Sequence, residues 1–286
     1  MSPSFTAVNY SLRPSKTIQR ALVFEGLRKI QEYIGWKNAV YVGFGSIWFT
    51  DFLMAHKNLR ISKMISMEAS SIGYKRAEFN RPYSFVRLEA GLSFDVLPRL
   101  FDEESLRRRP WIIWLDYDKE LGEDEIDEIR GAVDKAPDNS ALLVTFDASG
   151  KRYGENRLQQ AERLKQLFGV LAPTRIERAD NRDLAFGELM ATLTSEMILS
   201  AATKIARFGG CVPAFKIVYR DKATMVTVGA ILPNIRNRER IRSCVEQSDW
   251  PGLAKEPVVA PHLTSKEVAV LQAGDPQKPV AFTRSW

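Results

Sequence analysis

Histidine and cysteine are nearly missing from this chain. His56 and His262 are its two histidines, and Cys211 and Cys244 its two cysteines. Two cysteines are too few for a disulfide framework or a cysteine-based zinc site. Two histidines argue against imidazole metal chemistry and against a Ser-His-Asp hydrolase, so no metal is expected. No apolar run approaches the roughly 18–20 residues that span a membrane, which excludes a membrane partner of that kind. The start of the chain lacks the basic, apolar and small-residue regions of a signal peptide, so a cytoplasmic location is expected. Internal repeats and low-complexity tracts are absent as well.

What is present is ordinary for a globular protein. The 286 residues are 45% hydrophobic and 27% charged, enough for one large α/β domain with additions. The net charge is +6 and the pI near 9.3, which favours anionic partners such as nucleic acid or a phosphorylated substrate. Arg107, Arg108 and Arg109 form one dense basic tract, and residues 236–242 another. Neither carries the interleaved aromatics of a single-strand binder, and a solvated basic surface is the alternative.

The organising stretch is Asn38 to His56. Ala39 to Val42 reads as a buried strand, and Gly43-Phe44-Gly45-Ser46 breaks it. Trp48, Phe49, Phe52, Leu53 and His56 then recur at helical spacing. Strand, glycine turn and helix allow a backbone to approach a nucleotide closely. A Gly-x-Gly also occurs in ordinary tight turns, so its neighbours must decide.

Upstream, the first ten residues form an irregular arm. Lys16 to Tyr33 reads as a helix with an apolar stripe of Ile18, Leu22, the Val23 and Phe24 pair, Leu27 and Ile30 and with Ser15 as its N-cap. Lys16 and Arg20 share a face, either solvated or aimed at the mouth of the nucleotide site. Downstream, strands are expected over Ser62–Met67, Ser84–Leu88, Trp111–Leu115 and Ala141–Phe146. Helices are expected over Ser71–Asn80, Glu123–Lys135, Lys151–Phe168 and Leu184–Phe208, and a short helix or turn over Phe94–Phe101. Ala214–Tyr219 and Thr224–Leu232 are joined by so short a turn that they must pair antiparallel. The tail beyond Pro233 is charged and rich in proline, and Thr264 to Glu267 is a capping box opening a helix to Leu271. The divisions are 1–34 for the arm and first helix, 35–235 for the central domain and 236–286 for an extension.

In an open parallel sheet, ligands sit outside the carboxyl ends of the strands. Gly43, Gly45, Ser46, Glu68, Glu89 and Asp116 all fall on that edge. A carboxylate at Glu68 can accept two hydrogen bonds from a ribose diol; the alternative is a surface acid or helix cap. Glu89 could meet an adenine amino group while Ala90 and Gly91 leave room for the ring, or serve as a loop acid. Asp116 and Asp118 follow the fourth strand, where the reacting end of the ligand belongs. Either can act as a base or orient a substrate, and capping is the alternative for Asp118.

This series of strand ends, Val-Gly-Phe-Gly-Ser, Ser-Met-Glu, Arg-Leu-Glu-Ala-Gly and Trp-Leu-Asp-Tyr-Asp, resembles the class I S-adenosylmethionine-dependent methyltransferases over about residues 33–232. Leu-Arg-Pro-Ser-Lys at Leu12 to Lys16 is similar to a bacterial O-methyltransferase group. The resemblance implies a Rossmann-like α/β fold, with a mostly parallel seven-stranded sheet closed by a C-terminal antiparallel pair and helices on both faces. It also implies S-adenosylmethionine as cofactor, an unidentified methyl acceptor, cofactor contacts from Gly43, Gly45, Ser46, Glu68, Glu89, Ala90, Gly91 and Asp116, and catalysis through Asp116 and Asp118.

The chain departs from the family where Tyr41 replaces the usual acid before the turn and Ile47 replaces the third glycine. Trp48 stands where a dinucleotide-binding turn would carry its last glycine, which counts against a dehydrogenase. Two alternatives stay open: a catalytically degenerate cofactor-binding module, and an RNA-modifying methyltransferase using Lys16, Arg20, Arg107, Arg108 and Arg109. Asp116-Tyr117-Asp118-Lys119 is not the Pro-Pro motif of base-amine methyltransferases, so amine methylation of a base is not supported.

Overall fold

The computed structural model describes residues 13–177, 182–261 and 266–267. Seven strands form one sheet in the order β3-β2-β1-β4-β5-β7-β6. They are β1 (Val40–Gly43), β2 (Lys63–Glu68), β3 (Val86–Ala90), β4 (Trp111–Asp116), β5 (Ser140–Asp147), β6 (Val212–Arg220) and β7 (Thr224–Leu232). β1 to β5 pair in parallel; β7 runs antiparallel to β5, and β6 antiparallel to β7. The reversed strand implied by the resemblance is therefore β7. β4 and β5 read as continuous apolar runs because helices cover both faces of the sheet.

Chain order reverses at β1, which lies between β2 and β4. The carboxyl end of β1 is thus a switch point, where a ligand cleft opens. One face of the sheet packs Val96, Leu97 and Leu100 of α4 (Ser93–Asp102), Ile126, Ile129 and Val133 of α5 (Glu123–Lys135), and Met190, Leu193 and Met197 of α8 (Arg182–Lys204). The other face packs Val23, Phe24, Leu27 and Ile30 of α1 (Pro14–Ile34), and Phe52, Ala55 and Leu59 of α2 (Thr50–Leu59).

Several sequence expectations need correction. Ser15 is not the cap of α1. Pro14 opens the helix, where its missing N–H costs nothing, and Ser15 Oγ instead donates to the Arg220 carbonyl at 2.7 Å. The α1 stripe is buried as expected at Val23, Phe24, Leu27 and Ile30, but Ile18 is 42% exposed, and the buried line continues towards the N-terminus through Arg20, Gln19, Lys16 and Ser15 instead. Its first two turns therefore bury polar groups. Trp48 and Phe49 precede α2, in a turn where Ser46 and Phe49 both adopt φ of 50°. The helix expected over Lys151–Phe168 is two, α6 (Gly150–Tyr153) and α7 (Arg157–Phe168). They are split at Gly154, whose φ of 151° strains any other residue.

The extension beyond β7 forms α9 (Arg238–Val245), which buries Ile241, Cys244 and Val245. The chain then returns along β6. The Lys216 amide donates to the Gly252 carbonyl at 2.8 Å and the Val258 amide to the Val218 carbonyl at 2.8 Å. Those bonds cover the open edge of the sheet. The first-ten-residue arm, and the Thr264–Leu271 helix apart from Lys266 and Glu267, lie outside the described residues.

Candidate active site

The glycine turn is shaped first by packing. A Cβ on Gly43 would sit 2.9 Å from the Trp114 carbonyl oxygen, so the residue is fixed by the neighbouring strand and does not line the cleft. A Cβ on Gly45 would lie 2.6 Å from both the Phe49 ring and Ser66 Oγ. That close approach lets the Gly45 amide donate to Ser66 Oγ at 3.0 Å, tying the turn to β2. Ser46 then enters the left-handed region, and its Oγ is buried with no hydrogen-bond partner.

Over this turn lie four charged side chains. Lys16 Nζ is 2.8 Å from Asp116 Oδ2 and 3.0 Å from Oδ1. Arg20 Nε donates to Asp51 Oδ1 at 2.5 Å, and a second Arg20 nitrogen is 3.9 Å from Asp116. Two helices and one strand supply them: α1 gives both cations, the first turn of α2 gives Asp51, and the end of β4 gives Asp116. Burial disfavours the Arg20 charge, but Asp51 and Asp116 outweigh it and raise its pKa. Burial raises the Asp51 pKa, with Arg20 opposing and Asp116 adding to the rise. Beneath them, Gln19 Nε2 donates to Thr227 Oγ1 at 3.0 Å. Thr227 and Thr145 share a 2.7 Å bond, and Trp114 Nε1 donates to Thr145 at 3.0 Å. This chain of bonds locks α1 to the strand ends.

A small hollow lined by Lys16, Arg20, Gly45, Asp51 and Asp116 opens at this quartet. It shares Phe44, Ser46, Asp116 and Asp118 with a neighbouring cleft of about 610 Å³. Glu68 lines the cleft, accepting from the Ser70 amide at 2.8 Å; burial raises its pKa. Gly91 lines it as well, with φ of 134° and its amide donating to the Glu68 carbonyl at 3.0 Å. Asp118 is exposed at the junction of hollow and cleft.

Not every expected residue arrives there. Glu89 lies inside β3, and its carboxylate bonds Arg87 Nε at 2.5 Å while Arg87 also reaches Glu103 at 2.6 Å. Residues two apart on a strand share a face, so Arg87 captures Glu89. Neither Glu89 nor Ala90 lines the cleft. Asp116 is present, with its charge engaged by Lys16. Arg107, Arg108 and Arg109 precede β4, whereas Lys16 and Arg20 pack at its far end, so the two basic groups occupy opposite edges of the sheet. Glu104 pairs with Arg107 and, at 3.7 Å, with Arg108.

Sequence reasoning missed Asp51, Ser93, Glu125 and Glu128. Asp51 sits beside Thr50 at the start of α2, a position that reads simply as favourable to the helix dipole. Glu125 accepts from the Gly122 amide at 2.8 Å and pairs with Lys119 at 2.6 Å. Glu128 accepts from Ser93 Oγ at 3.0 Å. Among the described residues no group of His, Cys, Asp and Glu could hold a metal ion, and no helix is long and apolar enough to cross a membrane.

Against known proteins, the model of a family described as "Putative O-methyltransferase" matches residues 8–284. No curated protein matches the sequence. Among solved structures, the chain is similar to the O-methyltransferase from Bacillus cereus in complex with SAH, with TM-score 0.45 and 14% identity, covering 80% of this chain and 84% of that one. It is also similar to cofactor-bound Rv0187 from MTB, with TM-score 0.40 and 13% identity over 81% of this chain and 93% of that one. A third is Trm1 from Pyrococcus horikoshii with S-adenosyl-L-methionine, with TM-score 0.47 and 8% identity over 78% of this chain and 58% of that one.

Proposed function

The chain belongs to this O-methyltransferase family, and from that premise we propose that it is an S-adenosylmethionine-dependent enzyme methylating a hydroxyl oxygen of its acceptor. The observation that carries the reading is the join between hollow and cleft. A site with two cations and two carboxylates opens directly into a space large enough for a nucleoside. The cofactor has the same division, with a zwitterionic amino-acid head on one side and adenosine on the other.

Lys16 and Arg20 are suited to the α-carboxylate, and Asp116 and Asp51 to the α-ammonium. The quartet would thereby take over from the family acid that Tyr41 replaces. Glu68 suits the ribose hydroxyls, and the unpartnered Ser46 Oγ offers one more contact at the junction. When bound, the cofactor supplies an electrophilic methyl on a positively charged sulfur. The chain's own part is to orient the acceptor and remove its proton. The base role is assigned to Asp118 for its position: its carboxylate is exposed where hollow and cleft join, placed to accept the proton that the acceptor hydroxyl releases.

A surface joining Lys16 and Arg20 to Arg107, Arg108 and Arg109 would have to span the sheet from edge to edge. The RNA-directed alternative gains nothing from that arrangement. Calorimetry with S-adenosylmethionine and S-adenosylhomocysteine tests the reading. One-to-one binding of both supports it, and no heat from folded protein with either, well above micromolar ligand, overturns it.

A further inference from the structure

The net charge of +6 does not arise in the quartet, where two cations meet two carboxylates. Basic residues gather instead at the opposite edge of the sheet, where the parallel strands begin. The turn after α1, the segment leading into β4 and the stretch from the end of β7 into α9 all meet there. Asn139, held in the left-handed region with φ of 64°, ties the first of these to the last. Its carbonyl accepts from Trp36 Nε1 at 2.7 Å, and its Oδ1 accepts from the Asn234 amide and from Asn237 Nδ2, each at 3.1 Å. Arg109 joins from the segment before β4, its Nη1 donating to the Asn38 carbonyl at 3.3 Å. Lys37, Arg109 and Arg236 thus belong to, or directly adjoin, residues of one small bonded region, although they are far apart in sequence.

Glu104, Asp138 and Glu239 on this edge pair with Arg107, Arg207 and the arginines of α9. Lys37 and Arg236 are exposed, and among the described residues neither has an acid partner. Arg109 is held by the Ser105 and Asn38 carbonyls, which leave its charge unneutralised. A groove of about 490 Å³ runs between Lys37, Ser105, Arg108 and Arg109.

The fold also brings to this edge an aromatic ring that neither basic tract carries in sequence. Phe208 follows α8 and is 80% exposed. A Cβ on Gly209 would lie 1.7 Å from the Pro233 carbonyl oxygen, so the chain after Phe208 is pressed against residues 233–234. A Cβ on Gly210 would lie 3.4 Å from the Arg238 guanidinium carbon. Phe208 therefore stands beside the 236–238 cations, with Ile235, 55% exposed, in the same stretch. An open ring among unneutralised cations suits single-stranded nucleic acid, whose bases stack on the ring while its phosphates meet the cations. A duplex keeps its bases stacked on one another and can use the cations alone.

We propose that this edge is a docking face for single-stranded nucleic acid, with Lys37, Arg109 and Arg236 on phosphates and Phe208 under a base. The face lies across the sheet from the cleft, so it holds a strand without presenting it for methyl transfer. It stands apart from the cofactor assignment, and neither depends on the other.

Fluorescence anisotropy of the full chain with labelled oligouridylate and oligothymidylate, each about twenty nucleotides long, tests the proposal; a duplex of equal length and unlabelled polyglutamate are the comparisons. Affinity for the strand is expected to fall about twenty- to fiftyfold between about 50 and about 200 mM salt, as three or four phosphate contacts require. Lys37→Glu combined with Arg236→Glu is expected to weaken binding about tenfold or more. Phe208→Ala is expected to weaken the single strand about fivefold or more and to leave the duplex unchanged. Thermal unfolding checks that each variant is folded. Tighter binding of either strand than of the duplex, lost in these variants, supports the face and identifies the preferred sugar. The proposal is overturned by no strand binding at low salt, by a duplex bound as tightly as the strands, or by a folded Phe208→Ala variant that binds like the parent. Polyglutamate that displaces the strand as readily as unlabelled oligouridylate of equal charge also overturns it, and assigns the face to an acidic polypeptide.

Discussion

Lys16 Nζ lies 2.8 and 3.0 Å from the two carboxylate oxygens of Asp116, with the side chains only 3% and 11% exposed. The lysine comes from the first helix and the aspartate from the end of the central strand β4. Their pairing makes α1 part of the site's wall. Lys16→Met should leave Asp116 facing Arg20 at 3.9 Å as its remaining cation. Loss of a charge-assisted bond to the ligand carboxylate costs about 1.5–3 kcal/mol. Calorimetry should therefore show S-adenosylhomocysteine binding about ten- to hundredfold weaker, with the fold retained.

Glu68→Ala should remove the bond to the ribose hydroxyls. A loss of about 1.5–3 kcal/mol in cofactor affinity is expected from a charged acceptor. An unchanged dissociation constant would refute the ribose role.

Gly45→Ala tests the turn itself. The added methyl meets the Phe49 ring and Ser66 Oγ at 2.6 Å, and overpacking of this kind costs about 1–3 kcal/mol. Thermal unfolding should shift downward by several degrees, together with weaker cofactor binding. A variant as stable as the parent would show that the turn has slack.

Glu128 links the cleft to pH. Burial pushes its pKa up to about 7, against Ser93 and Tyr117, with Glu125 adding to the rise and Lys119 opposing it. The folded state then holds this proton in a range where the unfolded chain has released it. Its contribution is complete below about pH 4.5 and is lost as pH rises through about 7, by roughly 3 kcal/mol. Glu128→Gln should abolish that slope and be more stable than the parent at pH 8. Urea midpoints at pH 5 and pH 8 check it, and parallel pH profiles for the two proteins would contradict the assignment.

Long apolar runs were legible. β4, β5 and the β6–β7 pair, with α5, fall within a residue or two of their expected bounds, because burial on both faces leaves no alternation to misread. β3 was harder. Its expected range was Ser84–Leu88, and the observed Val86–Ala90 puts Glu89 inside the ladder, opposite Met67. That difference hands Glu89 to Arg87.

The quartet was half legible. Lys16 and Arg20 were visible as a pair, but their partners Asp116 and Asp51 come from elements distant in sequence. No local spacing announces that two polar turns of α1 are buried. Glu128 was hidden for a similar reason: on an acidic helix every carboxylate suits the dipole, and only packing against Ser93 and Tyr117 singles one out.

The central claim is that the quartet grips the amino-acid head of the cofactor. The direct measurement is calorimetric comparison of S-adenosylhomocysteine with 5′-methylthioadenosine, which keeps the adenosine and the thioether but lacks that head. The account predicts that S-adenosylhomocysteine binds tighter by about tenfold or more, and that Lys16→Met shrinks the difference severalfold. Equal affinity of the two ligands for the unaltered protein would contradict it.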